Sequence, residues 1–215
     1  MDGKVVLITG AAGTGKSTLV RNLLERARPF KRVDYGQLLR AHKLRQTGVA
    51  MSYDELRRDS ASVISPQDVA AVDEWLIGQL PQWRTEGNVV IDSHPVTKEV
   101  FGFRITPYSL NQVQRIEFDA ILVLVGEPNT LAQRIADNPQ GRPNPDAFQA
   151  GFQVQLQAAL AATYAIICGR PCFAIDTTRS TAEVTAEIAL DLLRQVGVQF
   201  EEVSGTTETI QPPSN

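Results

Sequence analysis

The sequence predicts an α/β fold, a five-stranded parallel sheet with helices on both faces, and three observations carry that reading. Short β-branched apolar runs alternate with segments of helical period, the pattern that folds into right-handed βαβ crossovers. The runs are continuous rather than alternating, as strands covered on both faces must be. The first run leads directly into Gly10-Ala11-Ala12-Gly13-Thr14-Gly15-Lys16-Ser17, which fits the phosphate-binding pattern G-x-x-x-x-G-K-S/T without a mismatch.

Lys4 to Thr9 is the first strand. Gly10, Gly13 and Gly15 let the following backbone turn its N–H groups toward phosphate oxygens. Lys16 then reaches the terminal phosphates, and the Ser17 hydroxyl stands where Mg²⁺ is held. Gly10 through Thr18 is therefore the expected ATP-binding stretch, with Ala11, Ala12 and Thr14 inside the loop. A helix follows from Ser17 to Arg28, with Leu19, Val20, Leu23 and Leu24 on one face, until Pro29 stops it.

Lys31 to Tyr35 supplies a second strand, and Gly36 turns the chain into a helix carrying Arg40. Ser52 with Glu55 is a capping box that starts a helix bearing Arg57 and Arg58. Ser65-Pro66 starts another, to Gln82, with Val69, Val72, Leu76, Leu80 and Trp75 inward. Residues 36–82 thus read as a helical insertion. Asn88 to Asp92 is the third strand, and an acid at the C-terminal end of such a strand is suited to hold Mg²⁺. His94 reads either as a turn residue or as a group facing the crevice.

Val96 to Arg115 is expected as a loop with one short helix, and no role is assigned to Lys98 or Arg104. Ala120 to Val125 is the fourth strand, after which Asn129 caps a helix bearing Arg134. Residues 136–147 are rich in proline and glycine around Arg142, and fit either a mobile lid or a surface turn. Ala147 to Cys168 is a long helix whose Phe148, Phe152, Leu156, Leu160 and Tyr164 are spaced as a buried seam. Pro171 to Asp176 is the fifth strand, and a capping box at Ser180 opens the last helix with Val184, Ile188, Leu192 and Val196 inward. Residues 1–203 are expected to form a single domain, and 204–215, without periodicity, a disordered tail.

A hydrophobic share of 43% and a charged share of 21% suit a chain that buries a core. A net charge of −3 provides no electrostatic footprint for nucleic acid. Cys168 and Cys172 read as buried reduced thiols, which fits a cytoplasmic protein. No run approaches a membrane span or a signal peptide, so neither membrane nor nucleic acid is an expected partner.

These residues resemble the adenylate kinase group of nucleoside monophosphate kinases, the archaeal-type adenylate kinases more than the common bacterial form. The resemblance runs from Lys4 to about Gln195. Its landmarks are the phosphate loop, Val33-Asp34-Tyr35-Gly36, Gly36-Gln37-Leu38-Leu39-Arg40, Asp54-Glu55-Leu56-Arg57, Val90-Ile91-Asp92-Ser93-His94, and Arg134 with Arg142. It implies a P-loop monophosphate kinase-like fold with an acceptor-binding insertion and a short lid. It implies Arg40 and Arg57 on the acceptor phosphate, with Asp34 and Gly36 in the same subsite. Arg134 and Arg142 become the lid arginines that clamp the transferring group beside Lys16. ATP as donor, Mg²⁺ held by Ser17 and Asp92, nucleotide substrates and a homo-oligomer, a trimer in the archaeal-type enzymes, follow from the same resemblance. Gln37 departs from it, standing where a common adenylate kinase has an acid, and the stretch between Arg57 and Asp92 is about five residues longer than in archaeal enzymes.

The leading functional expectation is transfer of the γ-phosphoryl of ATP to a nucleoside monophosphate, AMP or dAMP. A hydroxyl-acceptor kinase with Asp34 as base is the runner-up. The third reading is a regulatory P-loop ATPase with no dedicated acceptor. Against the last, the chain lacks a guanine-reading Asn-Lys-x-Asp and gathers cations after the second strand.

Overall fold

A computed structural model describes residues 2–142 and 144–203; the tail expected at 204–215 lies outside them. Strand β1 (Val5–Gly10) leads through the phosphate loop into α1 (Lys16–Arg26), and the two-residue strand β2 (Ala27–Arg28) precedes β3 (Phe30–Asp34). Three helices follow, α2 (Tyr35–Thr47), α3 (Tyr53–Val63) and α4 (Pro66–Glu86), before β4 (Asn88–Asp92). Strands β5 (Val96–Glu99) and β6 (Gly102–Ile105), helix α5 (Leu110–Ile116), strand β7 (Ala120–Val125) and helices α6 (Pro128–Asp137) and α7 (Ala147–Cys168) come next. Strand β8 (Cys172–Asp176), helix α8 (Ala182–Gln195) and strand β9 (Glu201–Glu202) complete the described chain.

The five-stranded parallel sheet is present, in the order β3-β4-β1-β7-β8. Successive side chains of a strand point to opposite faces, so each continuous apolar strand supplies two cores. Val5 and Leu7 of β1, Val89 and Ile91 of β4 and Ile121 and Val123 of β7 pack beneath Leu76, Ile77, Val113, Ile116 and Tyr164 of α4, α5 and α7. Val6, Ile8, Val90, Leu122 and Leu124 pack on the other face against Leu19, Val20 and Leu23 of α1 and Ala189, Leu190 and Leu193 of α8. Each such aliphatic side chain taken fully from water stabilises the fold by about 1.5–3 kcal/mol. A polar substitution at Leu7 or Leu122 would therefore break one layer outright.

Several local expectations are corrected. The first helix ends at Arg26 rather than Arg28. Pro29 disfavours the helical conformation just before it, and Ala27–Arg28 pairs antiparallel with Glu201–Glu202 instead. Asp34, not Gly36, starts α2, its carboxylate accepting from the Gln37 amide, while Gly36 lies inside the first turn. The 96–115 stretch contains a hairpin as well as the short helix, with Val96 opposite Ile105 and Lys98 opposite Phe103. Glu127 rather than Asn129 caps α6: its carboxylate accepts from the Asn129 and Thr130 amides, with Pro128 in the first helical position. Thr181, not Ser180, caps α8.

The aromatic seam expected on α7 is also corrected. Phe148 is 79% exposed and Phe152 is exposed, their rings stacked on one another, while Gln153, Gln157, Ala161 and Tyr164 form the buried face. Small and amide side chains let this helix lie close to the sheet, and Gln157 donates to the Thr9 hydroxyl at the end of β1. The 22-residue α7 holds an 18-residue window of mean hydropathy 1.2, long and apolar enough by composition alone to cross a membrane, contrary to the expectation that no segment is. In α8 the inward residues are Thr185, Ala186, Ala189, Leu190 and Leu193, and Val184 and Ile188 are exposed. Trp75 stands 42% exposed on α4, edge-on to Trp83, rather than in the core. Cys168 and Cys172 are free, and burial raises both thiols.

Candidate active site

The C-terminal ends of β1, β3 and β4 open into one cleft of about 510 Å³. Parallel strands deliver their ends to the same side, so the phosphate loop after β1, Asp34 ending β3 and Asp92 ending β4 become neighbours. In register, Ile8 pairs with Asp92 and Asp34 with Asp92.

The loop itself is shaped by glycine. Gly13 and Gly15 hold φ of +80° and +78°. A Cβ on Gly13 would come within 3.0 Å of the Leu131 carbonyl oxygen, so α6 presses on the loop from outside. Gly15 precedes α1 with no side-chain cap, which leaves the first-turn N–H groups to an anion. Gly10, Ala11, Ala12, Gly13, Gly15, Lys16, Ser17 and Thr18 line the cleft. Thr14 is buried away from it, its hydroxyl donating to the Ala11 carbonyl at 2.8 Å.

Charge in the cleft is paired across strands. Lys16 Nζ donates to Asp92 Oδ1, and Arg32 Nη2 donates to Asp92 Oδ2 at 2.6 Å and to Asp34 Oδ2 at 3.0 Å. Burial pulls the Lys16 ammonium down; Asp34 opposes this, while Arg32, Arg142 and Arg57 add to it. The Asp92 carboxylate in contact with it favours the charged form against that burial. Burial would raise Asp34, but the neighbouring Tyr53 hydroxyl, the Gln37 amide and Arg32 outweigh it and hold the carboxyl below its usual value. By geometry the Tyr53 hydroxyl itself is without a hydrogen-bond partner, so the Gln37 and Arg32 contacts are the firm ones. His94 is exposed to the cleft, and the protein around it, with Lys16, Arg142 and Arg57 nearby, holds its ring below the usual imidazole value. It is a neutral imidazole at pH 7.

The arginines divide into groups. Arg57 and Arg142 both reach the cleft and both donate to Gln140 Oε1, at 3.1 and 3.2 Å. Gly141 rides directly on the start of α3, where a Cβ would meet Asp54 Cα at 2.7 Å, so this loop bridges from α6 to the insertion. Burial and then Arg57 lower Arg142 to about 10, which leaves it cationic at neutral pH. Arg134 lines the cleft but donates to the carbonyls of Gly13 at 3.3 Å and Thr177 at 3.1 Å, bracing the phosphate loop. Arg40 is not brought to the cleft: its Nε donates to the Met51 carbonyl at 2.7 Å and its guanidinium lies 4.5 Å from the centre of the Tyr53 ring. Gly36 does line the cleft, with Tyr53 close above it.

Lys98 and Arg104, unassigned from sequence, line the cleft too. Arg104 donates to the Ser60 and Ile64 carbonyls at 3.0 and 2.9 Å and so closes the C-terminal end of α3. Arg32, Tyr53 and Gln140 are the residues that sequence reasoning missed. Arg32 stands two positions before Asp34 in the same strand, hence on the same face, and that spacing was the available signal.

Among the described residues no three His, Cys, Asp or Glu side chains gather as a metal cage. Mg²⁺ beside nucleotide phosphates needs only one or two protein oxygens. The Ser17 hydroxyl and the Asp92 carboxylate, which already attracts two cations, are hard donors that fit it.

A family model described as an AAA domain matches residues 9–149. The adenylate kinase of Pyrococcus furiosus is 25% identical over 165 residues, covering 75% of this chain and 80% of that protein. The adenylate kinase of Methanoculleus marisnigri is 24% identical over 176 residues, covering 79% and 87%. Among solved structures, the Deinococcus radiodurans tunicamycin resistance protein superposes with a TM-score of 0.53 at 13% identity, covering 92% of this chain and 98% of that one, a likeness of fold.

Proposed function

Because the chain belongs to the AAA domain family, its model spanning residues 9–149, we propose that it is an ATP-dependent phosphotransferase whose acceptor is a nucleoside monophosphate, AMP or dAMP. One observation carries the acceptor assignment: Arg57 and Arg142 converge on a single oxygen in the cleft that the phosphate loop also lines. Two cations gathered on a neutral amide oxygen suit an arriving phosphate, which accepts charge-assisted bonds from both. The adenylate kinase relatives support the same acceptor class.

The chemistry asked of the protein is alignment and charge neutralisation. The free N–H groups of the α1 start and Lys16 hold the donor phosphates, and Arg57 and Arg142 hold the acceptor and transferring groups. Ser17 and Asp92 would hold Mg²⁺, which supplies further charge neutralisation at the phosphates. No base is required, since an acceptor phosphate oxygen is already ionised at neutral pH. Asp34 is occupied in capping α2 and pairing with Arg32, which disfavours the hydroxyl-acceptor alternative. Incubation with ATP, Mg²⁺ and a panel of nucleoside monophosphates and small alcohols, followed by product separation, tests this. Diphosphate formed from AMP or dAMP is expected; a phosphorylated alcohol alone would reject the acceptor class.

A further inference from the structure

Lys16 and Arg32 each hold one oxygen of the same carboxylate. Lys16 Nζ sits on Asp92 Oδ1, and Arg32 Nη2 is 2.6 Å from Asp92 Oδ2. Asp92 is 3% exposed. Lys16 carries one compact charge, so serving the phosphates of ATP means leaving Asp92. A buried carboxylate stripped of its cation is strongly destabilised, and that cost would be charged against nucleotide binding.

Arg32 removes the cost. It reaches Asp92 from the neighbouring strand, where Asp34 and Asp92 are in register and Arg32 lies two residues back. The other cleft arginines are held elsewhere: Arg57 and Arg142 on Gln140, Arg134 and Arg104 on backbone carbonyls. The second bond of Arg32, to Asp34 Oδ2 at 3.0 Å, fixes its guanidinium in place while Lys16 moves.

We propose that Arg32 is a positioning residue for ATP: it remains on Asp92 as counter-ion and so frees Lys16 to exchange Asp92 for the nucleotide phosphates. The inference rests on the proposed function only in taking ATP phosphates as the partner of Lys16. It concerns donor binding and is independent of the acceptor.

The test is the affinity of the full chain for ATP without metal, with EDTA present, measured calorimetrically. Wild type, Arg32→Ala, Arg32→Lys, Asp92→Asn and the double variant Arg32→Ala/Asp92→Asn are compared, with thermal unfolding reporting the fold of each. Arg32→Ala is expected to weaken ATP roughly tenfold or more, and Arg32→Lys to recover most of that loss. In the Asp92→Asn background, where no carboxylate is left to orphan, Arg32→Ala should cost less than about threefold. Equal losses in the two backgrounds, or wild-type affinity in Arg32→Ala, overturn the proposal. Because neither acceptor nor metal enters the measurement, its failure leaves the acceptor assignment standing, and failure of that assignment leaves this one.

Discussion

Arg57 of α3 and Arg142 of the loop before α7 share one acceptor, Gln140 Oε1, at 3.1 and 3.2 Å. The contact joins the insertion to the loop over the cleft, and it holds two like charges on one neutral oxygen, with the Asp54 carboxylate 3.9 Å from Arg57 as their partial counter-charge. A phosphate oxygen would be the better partner for both.

Arg142→Ala should therefore lower kcat by on the order of a hundredfold and weaken AMP binding by less, about tenfold, since the clamp grips the acceptor phosphate but acts most on the transferring group. Steady-state kinetics at saturating ATP would show this. Unchanged constants would make Arg142 a surface turn residue, the alternative that the sequence left open.

At Asp34 the side chain caps α2 through the Gln37 amide, and asparagine is an equally good cap. Asp34→Asn should keep the fold and lose no more than about tenfold in kcat. A loss on the order of a hundredfold with a shifted pH profile would identify Asp34 as a general base and favour an alcohol acceptor.

Arg40 was expected on the acceptor phosphate by resemblance, but it does not line the cleft: the Met51 carbonyl holds its Nε and its guanidinium packs on the ring of Tyr53, which does. Arg40→Ala is thus expected to leave KM for the acceptor within about threefold while lowering stability by about 1 kcal/mol through the lost hydrogen bond and ring contact. Paired kinetics and chemical denaturation separate the two effects. A large rise in acceptor KM at full stability would return Arg40 to the site.

Asp73, 2% exposed, accepts from Tyr35 Oη at 2.5 Å and Gln112 Nε2 at 3.2 Å. Burial raises its carboxyl to about 6, against those hydrogen bonds and with Glu74 adding to the rise. An unfolded aspartate titrates near about 3.9, so between roughly pH 4 and 6 the folded chain keeps a proton that the unfolded chain has released. The stabilisation is fully present below that window and is lost as pH rises through it, by on the order of 2–3 kcal/mol. Denaturation of wild type and Asp73→Asn at about pH 4.5 and 7.5 isolates the contribution, because other groups cancel in the difference. The variant should gain on wild type as pH rises, and a pH-independent difference would remove Asp73 as the source.

The strands and the phosphate loop were legible because their signals are local: β-branched runs of five or six residues, and glycines where φ is positive. The ends of elements were less so, since Glu127 competes with Asn129 for the α6 amides and only the fold decides. The α7 seam misled because spacing by four drifts around a helix of 3.6 residues per turn, and Phe148 and Phe152 end outside while Gln153 and Gln157 pack inward. In the site, residues contributed by the loop and strand ends were visible, but the partners of each arginine were not. Whether a guanidinium faces a cleft or a carbonyl depends on elements far apart in sequence: Arg32 meets Asp92 across 60 positions, and Arg57 meets Gln140 across 83.

The most direct measurement follows the γ-phosphoryl group itself. With ATP labelled at the γ-phosphorus, Mg²⁺ and unlabelled AMP, the account predicts label in the β-position of ADP, at a rate abolished by Lys16→Ala in a chain that still unfolds cooperatively. Label found only in inorganic phosphate, unaffected by AMP, would contradict it.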